Sequence, residues 1–228
     1  MAKDELAKEF KYIGTRPNRP DGFDKVTGRA KYGADISAVG MLHGAVLRSP
    51  YAHARIISIN FEKAAKLDGV KAIVTRDDFP IGIDDDTLKL LDNTIAGEFA
   101  YYDGHAIAAV AATSVLAAKE AIKEIEVEYE VLPHVIDVDE AIKPDAPVVR
   151  ENAGDFSVPE GSSPNLASYI EFGTGDINGG FDKADLVKSG RFKTEAAHQG
   201  YIEPHACMAQ LDHGGQGEMW VCTQGHWY

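Results

Sequence analysis

Residues 102–133 read YDGHAIAAVAATSVLAAKEAIKEIEVEYEVLP. The stretch that decides the fold is Ala106–Ala112, AIAAVAA, an unbroken run of small apolar residues. Such a run suits a strand buried on both faces. Thr113 or Ser114 then offers a hydroxyl to cap a helix. Val115, Ala118, Ile122 and Ile125 recur at helical spacing, with Lys119, Glu120, Lys123 and Glu124 on the opposite side. Val127–Val131 returns as a strand, and Leu132-Pro133 closes it. The unit reads as βαβ-like and predicts an α+β domain when joined to its neighbours.

Toward the N-terminus, Met41–Arg48 (MLHGAVLR) reads as a strand that Ser49-Pro50 ends. Ala54–Ile59 (ARIISI) is a second strand, Glu62–Leu67 a short helix, Asp68-Gly69 a turn and Val70–Thr75 a third strand. Residues 76–100 read as irregular. The trio Asp84-Asp85-Asp86 lacks the glycine and distal glutamate of a calcium loop and is expected to be a solvated turn. Residues 1–21 form an arm, because Arg16-Pro17-Asn18-Arg19-Pro20 cannot continue a helix.

Toward the C-terminus, Asp137–Ile142 suits one helical turn. Residues 136–168 form a connector carrying Pro144, Pro147, Pro159 and Pro164. A second block, 169–228, holds a turn and short helix at Asp176–Asp185 and a strand-like run at Leu186–Ala196. Two further strands, His205–Leu211 and Glu218–Thr223, are joined by a turn at Gly214-Gly215. The main α+β domain is expected over 22–135.

A hydrophobic content of 44% with 26% charged residues describes a globular chain. The net charge of -13 disfavours nucleic acid and anionic membranes, both of which are held through Lys and Arg. No apolar run approaches a membrane span, and residues 1–10 lack the apolar core of a secretory signal. These features predict a cytoplasmic location. Cys207 and Cys222 are too few for a zinc or iron–sulfur site and read as reduced thiols in strands.

Chemistry is sparse. Gly173-Thr174-Gly175 lacks the Lys-Ser/Thr of a phosphate loop. The densest polar segment is His198–His205, HQGYIEPH. On one strand, Glu203 and His205 would share a face. A metal site needs more ligands than can be identified there, so no metal ligand is assigned and a polar network beside Pro204 is the preferred reading. In Thr223-Gln224-Gly225-His226, Gln224 offers an amide donor and acceptor, and Gly225 permits close approach of a ligand.

Three ordered blocks carry a resemblance. The first is RPDGFDKVTGRAKYGADI (19–36) with Leu42-His43-Gly44 and LRSPYAHARI (47–56). The second is Tyr102-Asp103-Gly104 with Ala106–Ala111 and EVEYEVLP (126–133). The third is Gly175-Asp176, Gly180-Phe181, Ala184-Asp185, Gly190, Tyr201-Ile202-Glu203-Pro204 and Thr223-Gln224. Together they resemble the N-terminal portion of the molybdopterin-binding large subunit of xanthine dehydrogenase and aldehyde oxidase-type molybdenum hydroxylases. That family includes carbon monoxide dehydrogenase and 4-hydroxybenzoyl-CoA reductase relatives.

The resemblance implies an α/β hammerhead domain followed by the first strands of a molybdopterin-binding domain. It implies a molybdenum–molybdopterin cofactor shared with the rest of the large subunit, and iron–sulfur clusters and FAD or another acceptor on partner subunits. Gln224 matches the family's glutamine beside the molybdenum, and Gly225 follows it. Glu203 and His205 match its E-x-H positions and would support the site. The family's glycine-rich cofactor loop and its base glutamate do not occur in this sequence, so no catalytic residue is assigned. A complementing molybdopterin-binding subunit is therefore expected. The alternative is a non-catalytic interaction module derived from the family. The substrate stays open.

Overall fold

The computed structural model describes residues 11–79, 85–150, 158–159, 161–223 and 225. The chain divides into two units: Gly40–Gly190, and Met1–Val39 with Arg191–Tyr228.

In the second unit, helix α1 (Gly22–Val26) is followed by a 3₁₀ turn at Gly33–Asp35. In Gly40–Gly190 the elements run β1 (His43–Arg48), β2 (Ala54–Asn60), α2 (Glu62–Ala65), β3 (Val70–Val74), α3 (Asp85–Thr94) and β4 (Phe99–Ala100). They continue with β5 (Ala106–Ala112), α4 (Val115–Lys123), β6 (Glu126–Val131), α5 (Val138–Ala141) and α6 (Ile177–Asp182). Strands β7 (Cys207–Leu211) and β8 (Gly217–Val221) return to the other unit.

The strands of Gly40–Gly190 form two three-stranded antiparallel sheets, ordered β1-β5-β3 and β4-β2-β6. The alanine-rich β5 is the middle strand of the first sheet, flanked on both edges by β1 and β3. Its side chains feed two clusters. Ala108 and Val110 pack with Ala64, Ala121 and Ile125, while Ile107 packs with Ala96 and Ala100. Leu47, Ile59 and Val127 touch both clusters and join them. This two-sided burial is what the unbroken apolar run predicts.

The expected βαβ unit is corrected. β5 and β6 flank α4 in sequence but enter different sheets, β6 pairing antiparallel with β2. Ser114 is the cap, its Oγ accepting from the Ala117 amide at 3.1 Å. The inward positions of α4 are Ala118 and Ala121, whereas Val115 is exposed. Small inward residues let the helix lie close on the sheet. Gly69 adopts φ +86°, and its carbonyl accepts from the Thr113 amide at 2.9 Å. A Cβ there would meet Thr113 Oγ1 at 2.7 Å, so the turn ahead of β3 requires glycine.

Two further expectations are corrected. Residues 76–100 are not irregular, since α3 lies within them. Leu88, Leu91 and Ile95 sit at i, i+3 and i+7, and Ile95 is buried. That period is masked in the sequence by Asp, Lys and Asn between its apolar positions. Asp85 and Asp86 open this helix, and Asp84 lies outside the described residues. The strand-like run Leu186–Ala196 joins no sheet, and Leu186 and Phe192 are exposed.

From residue 143 to α6 no described residue lies in a helix or strand. Asn165 fixes part of this path. Its Nδ2 donates to the carbonyls of Ala141 (3.0 Å) and Pro147 (2.9 Å), and its Oδ1 accepts from the Val149 amide at 3.1 Å.

Candidate functional site

The site residues read from the sequence fall in the unit that contains β7 and β8. These strands pair antiparallel from Cys207 opposite Val221 to Leu211 opposite Gly217. Their turn is built by Asp212, whose Oδ1 accepts from the amides of Gly214 (2.8 Å) and Gln216 (2.9 Å). Gly215 takes the left-handed conformation there, φ +82°.

Residues 201–206 approach β7 without being part of it. Glu203 and His205 nevertheless line the same cavity, of about 370 Å³, with Gln199, Tyr201, Val221, Cys222 and Thr223. The two do so outside any strand, since the expected strand begins only at Cys207, so strand alternation is not what brings them together. Glu203 also borders an adjoining cavity of about 540 Å³, which includes Lys31, Tyr32 and Trp220.

Each group is held. The Gly33 amide, 170 residues away, donates to Glu203 Oε1 at 3.2 Å. A Cβ at Gly33 would lie 3.3 Å from the Ala206 carbonyl, so the 3₁₀ turn approaches this segment through a bare backbone. The Tyr201 hydroxyl lies 3.0 Å from His205 Nδ1, and the two rings pack edge to face at 5.0 Å. Cys222 Sγ accepts from the Ala206 amide at 3.0 Å and donates to the Pro204 carbonyl at 3.1 Å. Cys222 thus ties the strand end to the Glu203–His205 segment. It stands one residue beyond β8 rather than within a strand, and Cys207 lies in β7; both are free thiols. Gly33 and Cys222 are not marked as site residues by the sequence, and Tyr201 is marked only as part of the polar segment His198–His205. Tyr201 sits four residues before His205, a local hint, but no local signal links Gly33 or Cys222 to this segment.

Gln224 lies outside the described residues. Gly225 is exposed, and its amide donates to Thr223 Oγ1 at 3.2 Å. Among the described residues, no three His, Cys, Asp or Glu side chains gather in a way that could hold a metal ion. What the cavity presents is a mixed wall of carboxylate, imidazole, phenol, amide and hydroxyl groups. Such a wall can hydrogen-bond a polar ligand.

Residues 27–133 match the family model of the aldehyde oxidase and xanthine dehydrogenase a/b hammerhead domain, and residues 158–228 that of the molybdopterin cofactor-binding domain. The chain belongs to the aldehyde oxidase and xanthine dehydrogenase family. It is 36% identical over 207 residues to a probable xanthine dehydrogenase subunit of Bacillus subtilis, covering 90% of this chain and 26% of that protein. It is 30% identical over 229 residues to the nicotinate dehydrogenase large molybdopterin subunit of Eubacterium barkeri, covering 98% of this chain and 50% of that subunit. The chain therefore spans from about a quarter to a half of the length of these relatives. A crystal structure of the Cu,Mo-CO dehydrogenase superposes with a TM-score of 0.75 at 29% identity, over 91% of this chain and 27% of that one. The fold is the α+β arrangement expected of the family, a hammerhead domain followed by part of a molybdopterin-binding domain. Among the described residues no helix is long and apolar enough to cross a membrane.

Proposed function

We propose that this chain supplies the scaffold and one wall of the molybdopterin site in a molybdenum-dependent hydroxylase or dehydrogenase of the cytoplasm. The observation that carries the reading is the meeting of Glu203, His205 and Thr223 on one cavity, directly before Gln224-Gly225. All of these residues lie within the segment that matches the cofactor-binding domain. The division that goes with this reading is an arm over 1–21, the hammerhead domain over 22–135, a connector over 136–168 and the start of the cofactor domain over 169–228.

The cavity residues suit part of a cofactor wall and no more. Gln199, Tyr201, Glu203, His205 and Thr223 offer hydrogen-bonding groups, but no lysine or arginine lines that cavity among the described residues. Holding a phosphate-bearing pterin calls for cations or converging amides. We assign those to residues outside this sequence, on a complementing molybdopterin-binding subunit. Iron–sulfur and FAD subunits would carry electrons onward.

When bound, the molybdenum cofactor would supply the oxygen-transfer and two-electron chemistry. This chain's residues hold and orient. Gln224 presents an amide that donates or accepts without adding charge, and Gly225 keeps the backbone clear. Glu203 and His205 support that segment, the first anchored by the Gly33 amide and the second by the Tyr201 hydroxyl.

The test is co-expression with the residues that complete the domain, followed by metal analysis and steady-state rates. The assembled complex should contain molybdenum. Gln224→Ala should then lower turnover ~10–100-fold, as loss of a hydrogen bond around a metal centre commonly does, with the melting temperature unchanged. Full turnover with full molybdenum content would remove Gln224 from the site. A complex that assembles without molybdenum would instead identify an interaction module.

A further inference from the structure

We propose that the Gly40–Gly190 unit carries a second binding site, a cavity beside α3 that takes a planar aromatic monocarboxylate. The cavity measures about 590 Å³, within the ~300–1,000 Å³ of ordinary ligand sites.

One wall is aromatic. His53 and Tyr101 stack at 6.3 Å with 22° between their planes, and Phe99 lies 6.1 Å from Tyr101. Leu132 and Val149 complete the apolar lining. His53 is buried, and its Nδ1 lies 2.8 Å from the Pro133 carbonyl and so donates to it. The ring is thereby fixed in orientation.

The charged group is Arg150. Its guanidinium stands 5.0 Å from the centre of the Tyr101 ring, and Nη1 donates to Asn93 Oδ1 at 2.7 Å. Among the described residues it has no carboxylate partner, in a chain of net charge -13. A guanidinium held over an aromatic face, with donors unspent, matches the geometry of a carboxylate. A ring attached to that carboxylate would extend over the aromatic wall. Lys89 also lines the cavity but is already engaged in an interaction of its own. Asp92 also lines the cavity, its carboxylate offset by Arg76 at 3.2 Å. With Asp92 offset by Arg76, the charge left on the wall is the single guanidinium of Arg150, which one carboxylate matches and a dianion such as phosphate exceeds.

The experiment is a calorimetric titration of the full chain in mildly alkaline buffer, where inorganic phosphate is a dianion, with benzoate, cyclohexanecarboxylate and inorganic phosphate. Benzoate should bind saturably with one site per chain, cyclohexanecarboxylate several-fold more weakly, and phosphate without saturation. Arg150→Gln should weaken benzoate about tenfold, the loss expected for one charge-assisted contact. Tyr101→Leu should erase the preference for benzoate over cyclohexanecarboxylate, and it decides the matter if the Arg150 variant fails to fold. Absence of saturable benzoate binding would overturn the proposal. So would unchanged affinity in folded Arg150→Gln, a preference retained by Tyr101→Leu, or phosphate binding as tightly as benzoate.

Discussion

The two sheet-bearing regions solve the problem of an apolar face differently. β5 sends Ile107 to one cluster and Ala108 and Val110 to another, and all three are buried. The β7–β8 hairpin buries no residue on either strand. Leu211, Met219 and Val221 are exposed, and Ile202 just before it is 99% accessible. The first region holds its shape by packing. The second holds its shape by hydrogen bonds: the ladder itself, the Asp212 turn, the Cys222 bridge and the Gly33–Glu203 contact. A substitution should therefore cost stability in the first region and function in the second.

The largest stability effect should come from Ile107→Ala. Ile107 has no accessible surface and sits between Ala96 and Ala100, which are too small to close over a void. The expected loss is about 2–5 kcal/mol, the range for truncating a buried isoleucine. Chemical denaturation of the two proteins measures it. A loss below ~1 kcal/mol would mean that the two clusters collapse together and that the region is less tightly packed than described.

A pH-dependent contribution comes next. His105 is fully buried, its Nδ1 accepts from the Tyr101 amide at 3.2 Å, and Tyr102 stacks on it at 4.3 Å. Its Nε2 has no hydrogen-bond partner. Burial pushes the imidazole pKa below its ordinary 6.5, with the Asp92 backbone opposing. Because the folded pKa is depressed, the unfolded chain takes up this proton first as pH falls. The stabilisation is present above pH ~6.5 and declines below it, by up to roughly 1.4 kcal/mol per pH unit. His105→Gln should flatten the stability–pH profile between about pH 6.5 and 5 relative to wild type. Equal slopes in both proteins would show that the buried ring does not resist protonation.

These regions also differ in how far their sequence reveals them. The Ala106–Ala112 run states its own burial, and Ser114 states where α4 begins, because both signals are local. The sheet that receives β6 is not encoded in β6; it follows from where Ile56, Ile59 and Val127 meet in space. Helix α3 is hidden because its inward residues are separated by charged and amide side chains. At the candidate site, Glu203 and His205 reach one cavity from a segment that is not a strand, so their two-residue spacing does not by itself account for the meeting. Gly33 and Cys222 are illegible because their partners are distant in sequence and their residue types are ordinary.

The smallest effect on stability should come from Met219→Ser on β8. Met219 is 64% accessible, stands opposite Ala209 in the ladder and lines the larger of the two adjoining cavities. Surface substitutions of this kind change stability by no more than ~0.5 kcal/mol. Under the proposed function, however, this exposed apolar strand is where a complementing chain would pack, and a serine there removes apolar area from that contact. Full burial of a methionine side chain is worth about 1.5–3 kcal/mol. Met219→Ser should therefore weaken assembly roughly tenfold or more while the isolated chain melts as wild type does. Co-purification with the completing residues, titrated by concentration, reads the first effect, and thermal unfolding of the chain alone reads the second. If melting shifts downward and assembly is unaffected, β8 is part of an internal core, and the contrast between the two regions fails at its weaker end.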